Sequence, residues 1–269
     1  MHASAKNQIV EYLAEFEAYA TWMYLDSLGL VTTGVGILLD PYEKYGRVLP
    51  WYDKMSMQPV NDEGVIKTEF QMVKSKNGPK GVPAWSTDPA QNFAYFKTFE
   101  PITQLRAKDS DINSAVLNIV SQKEAACRQY FGADYDRYPA DVQVVLTQMS
   151  YAGGLLARKH DLIPLLAAHD WLGAREYTYL TNPTQGKAGY AKYNACFRQL
   201  MLNAHIVESC SKLASPNVTM PKDPTVFFGY KKALGVARWN QTDDQDTTIR
   251  YDDVITSGDL TAWLKRQAK

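Results

Sequence analysis

The fold is decided by the stretch EAYATWMYLDSLGLVTTGVG, which runs from Glu17 to Gly36. Upstream of the turn residues in this stretch, apolar residues recur at helical spacing: Ile9, Leu13, Phe16 and Ala20. This pattern predicts a first helix over residues 8–20. β-Branched and aromatic residues then run to Tyr24, and turn-forming residues follow at 26–29. A strand over residues 31–39, interrupted by glycines, would complete a small hairpin.

Two carboxylates and a hydroxyl lie in this stretch, at Glu17, Asp26 and Thr32. On an unbroken helix the two carboxylates would face opposite sides, about 13 Å apart along the axis. Because the helical pattern stops near Ala20, we expect Glu17 in the last helical turn. From there it would look across a cleft at a hairpin that carries Asp26 and Thr32.

That arrangement suits the cleavage of a glycosidic bond with inversion. One protonated carboxyl donates to the leaving oxygen, while a second group holds a water on the opposite face of the sugar. Aromatic neighbours would partly desolvate Glu17 and favour its protonated form. Asp26, on a turn, is expected to stay ionised, and the Thr32 hydroxyl would help it to orient the water.

The spacing also carries a resemblance to a known family. Glu, eight residues, Asp, five residues, Thr and then X-Gly-X-Gly resembles the active-site signature of phage-type lysozymes, the family 24 muramidases that cleave peptidoglycan. Three later stretches are similar to that family in the same order. They are residues 138–154, similar to its long central helix, residues 167–177, similar to a later helix, and residues 189–202, similar to its last helix. The resemblance covers about residues 8–210, and only the first motif is specific.

The resemblance implies roles for residues outside the hairpin. Gln148 and Tyr151, in the stretch similar to the central helix, are assigned to substrate binding, and Trp85 is a candidate for stacking on a sugar ring. Lys192 lies nearest to the place where the family pairs an arginine with its catalytic glutamate. Arg106 and Arg198 are the alternative cations for an ion pair with Glu17.

The chain also departs from the family pattern. Ala18 follows Glu17 where the family usually has glycine, and Ile37 follows the Gly-X-Gly turn where histidine is common. The segment 40–100 is longer than in compact phage enzymes. These departures indicate a divergent member, such as the lysozyme-like toxins of type VI secretion.

We therefore expect a mainly α-helical α+β fold of lysozyme type, in which a cleft separates a small β-rich lobe from a larger helical lobe. One catalytic domain would span residues 1–214, and residues 215–269 would pack on it as an extension. Short strands and loops are predicted for residues 40–100, around a local core of Trp51, Tyr52, Phe70, Phe93 and Phe96. Further helices are predicted at residues 111–131, 139–151, 160–169, 171–180 and 190–213.

Composition restricts the partners. Lys and Arg together number 29, as do Asp and Glu, so the charge balance favours neither nucleic acid nor an anionic membrane. Three cysteines without CxxC spacing do not indicate zinc, and His160 and His169 would face opposite sides of one helix. We expect no metal and no cofactor. No apolar run approaches the length of a membrane span, and the N-terminus lacks the apolar core of a signal peptide.

The expected activity is hydrolysis of the β-1,4 bond between N-acetylmuramic acid and N-acetylglucosamine. A monomeric enzyme made in the cytoplasm would be delivered to the periplasm or cell wall of a target bacterium, as an endolysin, a tail enzyme or an effector. Its partners would be glycan strands, a delivery component and a cognate immunity protein. The alternatives are a lytic transglycosylase or a chitin or chitosan hydrolase on the same scaffold, and a catalytically inactive peptidoglycan-binding module.

Overall fold

The computed structural model describes residues 1, 3–14, 16–17, 19–26, 28–76, 95–181, 190, 193–198, 200–202 and 204–205. Within these ranges the chain is α+β and mostly helical, with two small antiparallel sheets, which confirms the coarse fold class. The chain divides into two compact units, Met1–Ile9 with Val120–Lys269, and Val10–Ile119. The predicted boundary at residue 214 and the extension beyond it lie outside the described residues.

The first sheet contains the predicted hairpin. Strand β1 (Tyr19–Leu25) pairs antiparallel with β2 (Val31–Val35), and β2 pairs antiparallel with β3 (Ile37–Leu38). The prediction of a hairpin is confirmed. The single interrupted strand predicted over residues 31–39 is in fact two strands joined by a tight turn.

Helix α1 (Ala3–Ala14) begins and ends earlier than predicted. The carbonyl of Leu13 accepts from the N–H groups of both Phe16 and Glu17, at 3.0 and 2.9 Å, as the chain leaves the helix. Ala20, the last apolar position of the helical pattern, is buried as a strand residue opposite Gly34. The prediction that Glu17 lies in the last helical turn is therefore wrong, because strand pairing uses the same apolar position.

The second sheet and two helices occupy the segment after the hairpin. Their bounds are α2 (Tyr42–Tyr45), β4 (Trp51–Asp53), β5 (Pro59–Val60), α3 (Glu63–Ser75) and β6 (Leu105–Arg106), with β4 between β5 and β6. The short strands β4 and β5 agree with the prediction for residues 40–100, but α2, α3 and β6 were not predicted. Asp62 caps this helix by accepting from Gly64 N at 2.8 Å, and Phe70 and Val73 bury its inner face.

The predicted local core of this segment is partly observed. Trp51, Phe70 and Phe96 are buried, and Tyr52 is half-buried. Phe93 lies outside the described residues. Most of the predicted core is therefore present, and α3 supplies part of it.

A buried carboxylate ties α3 to strand β6. Glu69 accepts from Gln104 N at 2.7 Å and from Leu105 N at 2.9 Å. Burial raises the pKa of Glu69, while these two backbone donors and the Arg106 charge lower it. The net direction of the pKa is upward, so the hydrogen bonds offset only part of the cost of burying a carboxylate here.

We expect Glu69→Ala to lower the free energy of unfolding by about 2 kcal/mol, because it leaves the buried N–H of Leu105 and the partly buried N–H of Gln104 without their acceptor. Urea denaturation monitored by circular dichroism measures this loss. Glu43→Ala, which removes an exposed glutamate of α2, is the control and should change stability by less than about 0.5 kcal/mol. Equal urea midpoints for the two variants would contradict the structural role of Glu69.

The remaining α-helices agree with those predicted, with shifted ends; the 3-10 helix was not predicted, and the predicted helix at 190–213 is described only in part. They are α4 (Asp109–Phe131), a 3-10 helix (Gly132–Arg137), α5 (Ala140–Tyr151), α6 (Leu155–Ala167), α7 (Trp171–Arg175) and a helical stretch at 193–198. Residues 140–149 of α5 are all buried, so this helix is enclosed on every side. In the described ranges no helix combines the length and apolar character that crossing a membrane requires.

Candidate functional site

The Gly-X-Gly turn has a steric explanation. Thr33 and Ile37 pair across a turn in which Gly34 and Gly36 have φ angles of +59° and +67°. Residues with a Cβ rarely adopt such angles. A Cβ at position 34 would also lie 2.8 Å from Cδ1 of Ile37. The turn therefore requires glycine at both positions.

The second glycine also makes room for the candidate acid. A Cβ at Gly36 would lie 3.1 Å from Oε2 of Glu17 and 3.2 Å from its Cδ. The carboxyl group of Glu17, which is half-buried, thus lies directly over the hairpin turn. The spacing between glutamate and glycine in the sequence corresponds to a contact in the fold.

If Glu17 acts as the predicted acid, we expect Gly36→Ala to reduce glycan hydrolysis by about tenfold to a hundredfold, because the added methyl group displaces the Glu17 carboxyl, and catalysis is sensitive to misplacement of about 1 Å. Gly132→Ala is a matched control. Gly132 has the same φ of +67°, and a Cβ there would meet nothing within 4 Å. Hydrolysis assays on folded variants provide the measurement. Equal activity of the two variants would show that the contact with Glu17 has no functional role.

Asp26 lies at the other end of β2, in the turn that joins it to β1. Its Oδ1 accepts from Leu28 N and Leu30 N, both at 2.8 Å. The carbonyl of Leu30 in turn accepts from Asp26 N at 2.9 Å and from Thr32 Oγ1 at 3.2 Å. The fold therefore brings Asp26 and Thr32 together around Leu30.

The charge state of Asp26 reflects opposing influences. Burial raises its pKa, the two backbone donors and Lys74 lower it, and the Asp40 carboxylate raises it. The net direction is upward. Burial therefore favours the neutral form of Asp26. The free-energy cost of ionising Asp26 in the folded protein was not predicted from its position in a turn.

Thr32 is only 3 % exposed, and its hydroxyl donates to Leu30. In this structure the Thr32 hydroxyl stabilises the turn that contains Asp26. Its predicted role in orienting a water stays a prediction.

The two ends of the candidate site are separated by one short strand. Glu17 contacts Gly36 just beyond the end of β2, whereas Asp26 and Thr32 lie at its beginning. A strand of five residues spans about 16 Å. All three residues belong to the unit Val10–Ile119.

The predicted substrate-binding residues lie elsewhere. Gln148, on α5, is 0 % exposed, and among the described residues neither its Oε1 nor its Nε2 has a hydrogen-bond partner. A side chain without exposed surface reaches a glycan only after a local rearrangement. Tyr151, at the end of α5, is half-buried. Both belong to the other compact unit, and Trp85 lies outside the described residues.

The predicted ion pair of Glu17 stays a prediction. Lys192 lies outside the described residues. The guanidinium of Arg106 donates to the carbonyls of Glu100, Thr103 and Leu105 at 2.8, 3.1 and 2.7 Å. Arg198 forms an ion pair with Glu176 at 3.3 Å.

The sequence did not point to two charged neighbours of the Asp26 turn. Lys74 Nζ, on α3, lies 2.5 Å from Asp40 Oδ2 and 2.9 Å from the carbonyl of Gly29. Because α3 was not predicted, nothing placed Lys74 near the hairpin. The cap at Asp62 and the apolar spacing of Phe70 and Val73 were the available signals.

The described residues also bear on a possible metal site. In the described part, His, Cys, Asp and Glu side chains form no group of three or more that could hold a metal ion.

Comparison with protein-family models, with curated proteins and with solved structures finds no match to this chain. A function must therefore be argued from its own residues.

Proposed function

We propose that this chain is a peptidoglycan muramidase with a lysozyme-like fold. It hydrolyses the β-1,4 bond between N-acetylmuramic acid and N-acetylglucosamine in a cleft between a β-rich and a helical lobe. The observation that carries the proposal is the Glu17 carboxyl lying over Gly36, on the same hairpin that holds Asp26 in its other turn.

In this proposal Glu17 donates its proton to the glycosidic oxygen as the bond to the leaving sugar breaks. Asp26 orients the attacking water. Its Oδ1 is held by two backbone N–H groups, while no hydrogen bond from the described residues reaches its Oδ2. One oxygen of Asp26 thus fixes the carboxylate, and the other is left to accept from a water. Thr32 keeps the turn in place.

Inversion is proposed from the roles given to Glu17 and Asp26 and from the resemblance to phage-type lysozymes. Inverting glycosidases hold their carboxyl groups about 6.5–9.5 Å apart, and retaining ones hold them about 5–5.5 Å apart. Glu17 and Asp26 lie at opposite ends of β2, a strand that spans about 16 Å, so their separation along it exceeds both ranges and does not by itself favour inversion. The water then attacks from the face opposite to the leaving group.

The rest of the site follows from the resemblance to phage-type lysozymes. Tyr151 and Trp85 would bind the glycan, Gln148 would do so after a local rearrangement that exposes it, and Lys192 would pair with Glu17. The enzyme would act without a cofactor on the wall or in the periplasm of a target bacterium. It would arrive as a delivered lysin or effector, and a cognate immunity protein would protect the producer.

Digestion of purified sacculi, followed by mass spectrometry of the products, tests the activity. We expect muropeptides with reducing N-acetylmuramic acid ends, and the α-anomer of the new end should appear first. Anhydromuramic ends would identify a lytic transglycosylase instead. Activity on chitin or chitosan alone would identify a chitin or chitosan hydrolase. Binding to sacculi without any product would identify an inactive binding module.

A further inference from the structure

Helix α3 delivers a lysine to the turn that holds Asp26. Lys74 Nζ donates to the Gly29 carbonyl, inside that turn, at 2.9 Å. It also forms an ion pair of 2.5 Å with Asp40, which is 15 % exposed in its side chain and follows β3. The same Asp40 oxygen accepts from Val31 N at 3.3 Å. Lys74 is therefore held by two elements of the hairpin region, and its position is fixed relative to the turn.

The charged and titratable groups around Asp26 come from three elements. Lys74 on α3 lowers the pKa of Asp26, and Asp40 after β3 raises it. On the helical turn at 95–97, Tyr95 has a pKa raised by burial and by the Asp26 charge. Lys74 is the cation in this group, and it works against the burial that favours neutral Asp26.

We propose that Lys74 is a positioning residue for Asp26, holding the turn through Gly29 and supplying a positive charge that favours the ionised form of Asp26, while Asp40 holds the ammonium group in place. The inference rests on the proposed function, because an ionised Asp26 is needed to orient the water. It also explains one use of the long segment after the hairpin, because α3 places the Lys74 ammonium group next to the Asp26 turn.

A purely structural lysine would not change the titration of Asp26, and this difference provides the test. Lys74→Met keeps most of the aliphatic stem and removes the charge. We expect the pKa of the Asp26 carboxyl, followed by carbon-13 NMR, to rise. The acidic limb of the kcat/KM profile on sacculi should move to higher pH, with a loss of about tenfold on that limb, the size expected for one nearby charge.

Lys67→Met is the matched control, since Lys67 lies on the same helix and pairs with exposed Glu43 at 3.1 Å. It should leave both the Asp26 titration and the pH profile unchanged. An Asp26 titration that is the same in Lys74→Met and the parent protein would overturn the inference.

Asp40→Asn is a second variant, which should change the pKa of Asp26 in the opposite direction. The asparagine oxygen still accepts from Val31 and Lys74, but the negative charge is gone, so the pKa of Asp26 should fall. An unchanged or higher value would overturn the inference even if Lys74→Met failed to fold. The NMR titration does not need activity. If the parent protein releases no product from sacculi, the proposed muramidase activity is refuted. The Asp26 titration would still decide the role of Lys74.

Discussion

Glu17→Gln is expected to reduce peptidoglycan hydrolysis by at least about a hundredfold and to leave the fold intact, because general-acid assistance typically contributes that much or more. Glutamine has the shape of glutamate and fits over Gly36, but it has no acidic proton to donate. Turbidity loss of purified sacculi, with product analysis, measures the effect, and circular dichroism verifies folding.

Glu43→Gln is the control for this experiment. It makes the same chemical change at an exposed glutamate of α2, which pairs with Lys67 in the same compact unit. It should retain parental activity. If Glu17→Gln and Glu43→Gln lysed sacculi at comparable rates, Glu17 would not be the acid.

Asp26→Asn is expected to be impaired by about a hundredfold or more, because an amide cannot take up the proton of the attacking water. The asparagine oxygen can still accept from Leu28 N and Leu30 N, so binding of glycan fragments should be largely retained. Wild-type turnover in this variant would instead indicate a transglycosylase-like route or a different base.

The same substitution should raise stability at neutral pH. Burial raises the pKa of Asp26, so between its unfolded and folded values the folded state binds more protons than the unfolded state. The contribution of Asp26 to stability therefore falls as pH rises through that window. Asparagine removes this cost, so the gain in Tm over the parent should be present at pH 7 and should vanish at acidic pH.

Asp62→Asn is the matched control for both readouts. Asp62 also accepts from two backbone N–H groups, those of Gly64 and Val65, but it is exposed at the start of α3. Asparagine caps helices about as well as aspartate, so activity and stability should change little. A lower Tm for Asp26→Asn than for Asp62→Asn at pH 7 would contradict the cost assigned to Asp26.

The hairpin could be predicted because its signals are local. Aromatic and β-branched residues, turn residues after Asp26, and two glycines at fixed positions each act within a few residues. The end of α1 could not be predicted from the same information. Ala20 satisfies both a helical period and a buried strand position, and pairing with Gly34 decides between them.

The surroundings of Asp26 depend on contacts that are distant in sequence. The ion pair of Lys74 with Asp40 joins residues 34 positions apart. No local pattern specifies such a contact, because it depends on how α3 is placed against the hairpin. The sequence therefore suggested candidate residues for the site, but not the contacts that influence the charge of Asp26.

The two glycines of the hairpin turn are subject to different evolutionary constraints. Gly34 is restricted by its backbone angle and by Ile37 and Ile112, which are both buried, so folding alone maintains it. Gly36 is restricted by its backbone angle and by the carboxyl of Glu17. In a descendant that loses Glu17, only the angle would remain as a restriction, and asparagine tolerates that angle better than other side chains. If the proposed muramidase activity is correct, drift from glycine at position 36, with glycine kept at 34, would mark lineages that have lost it.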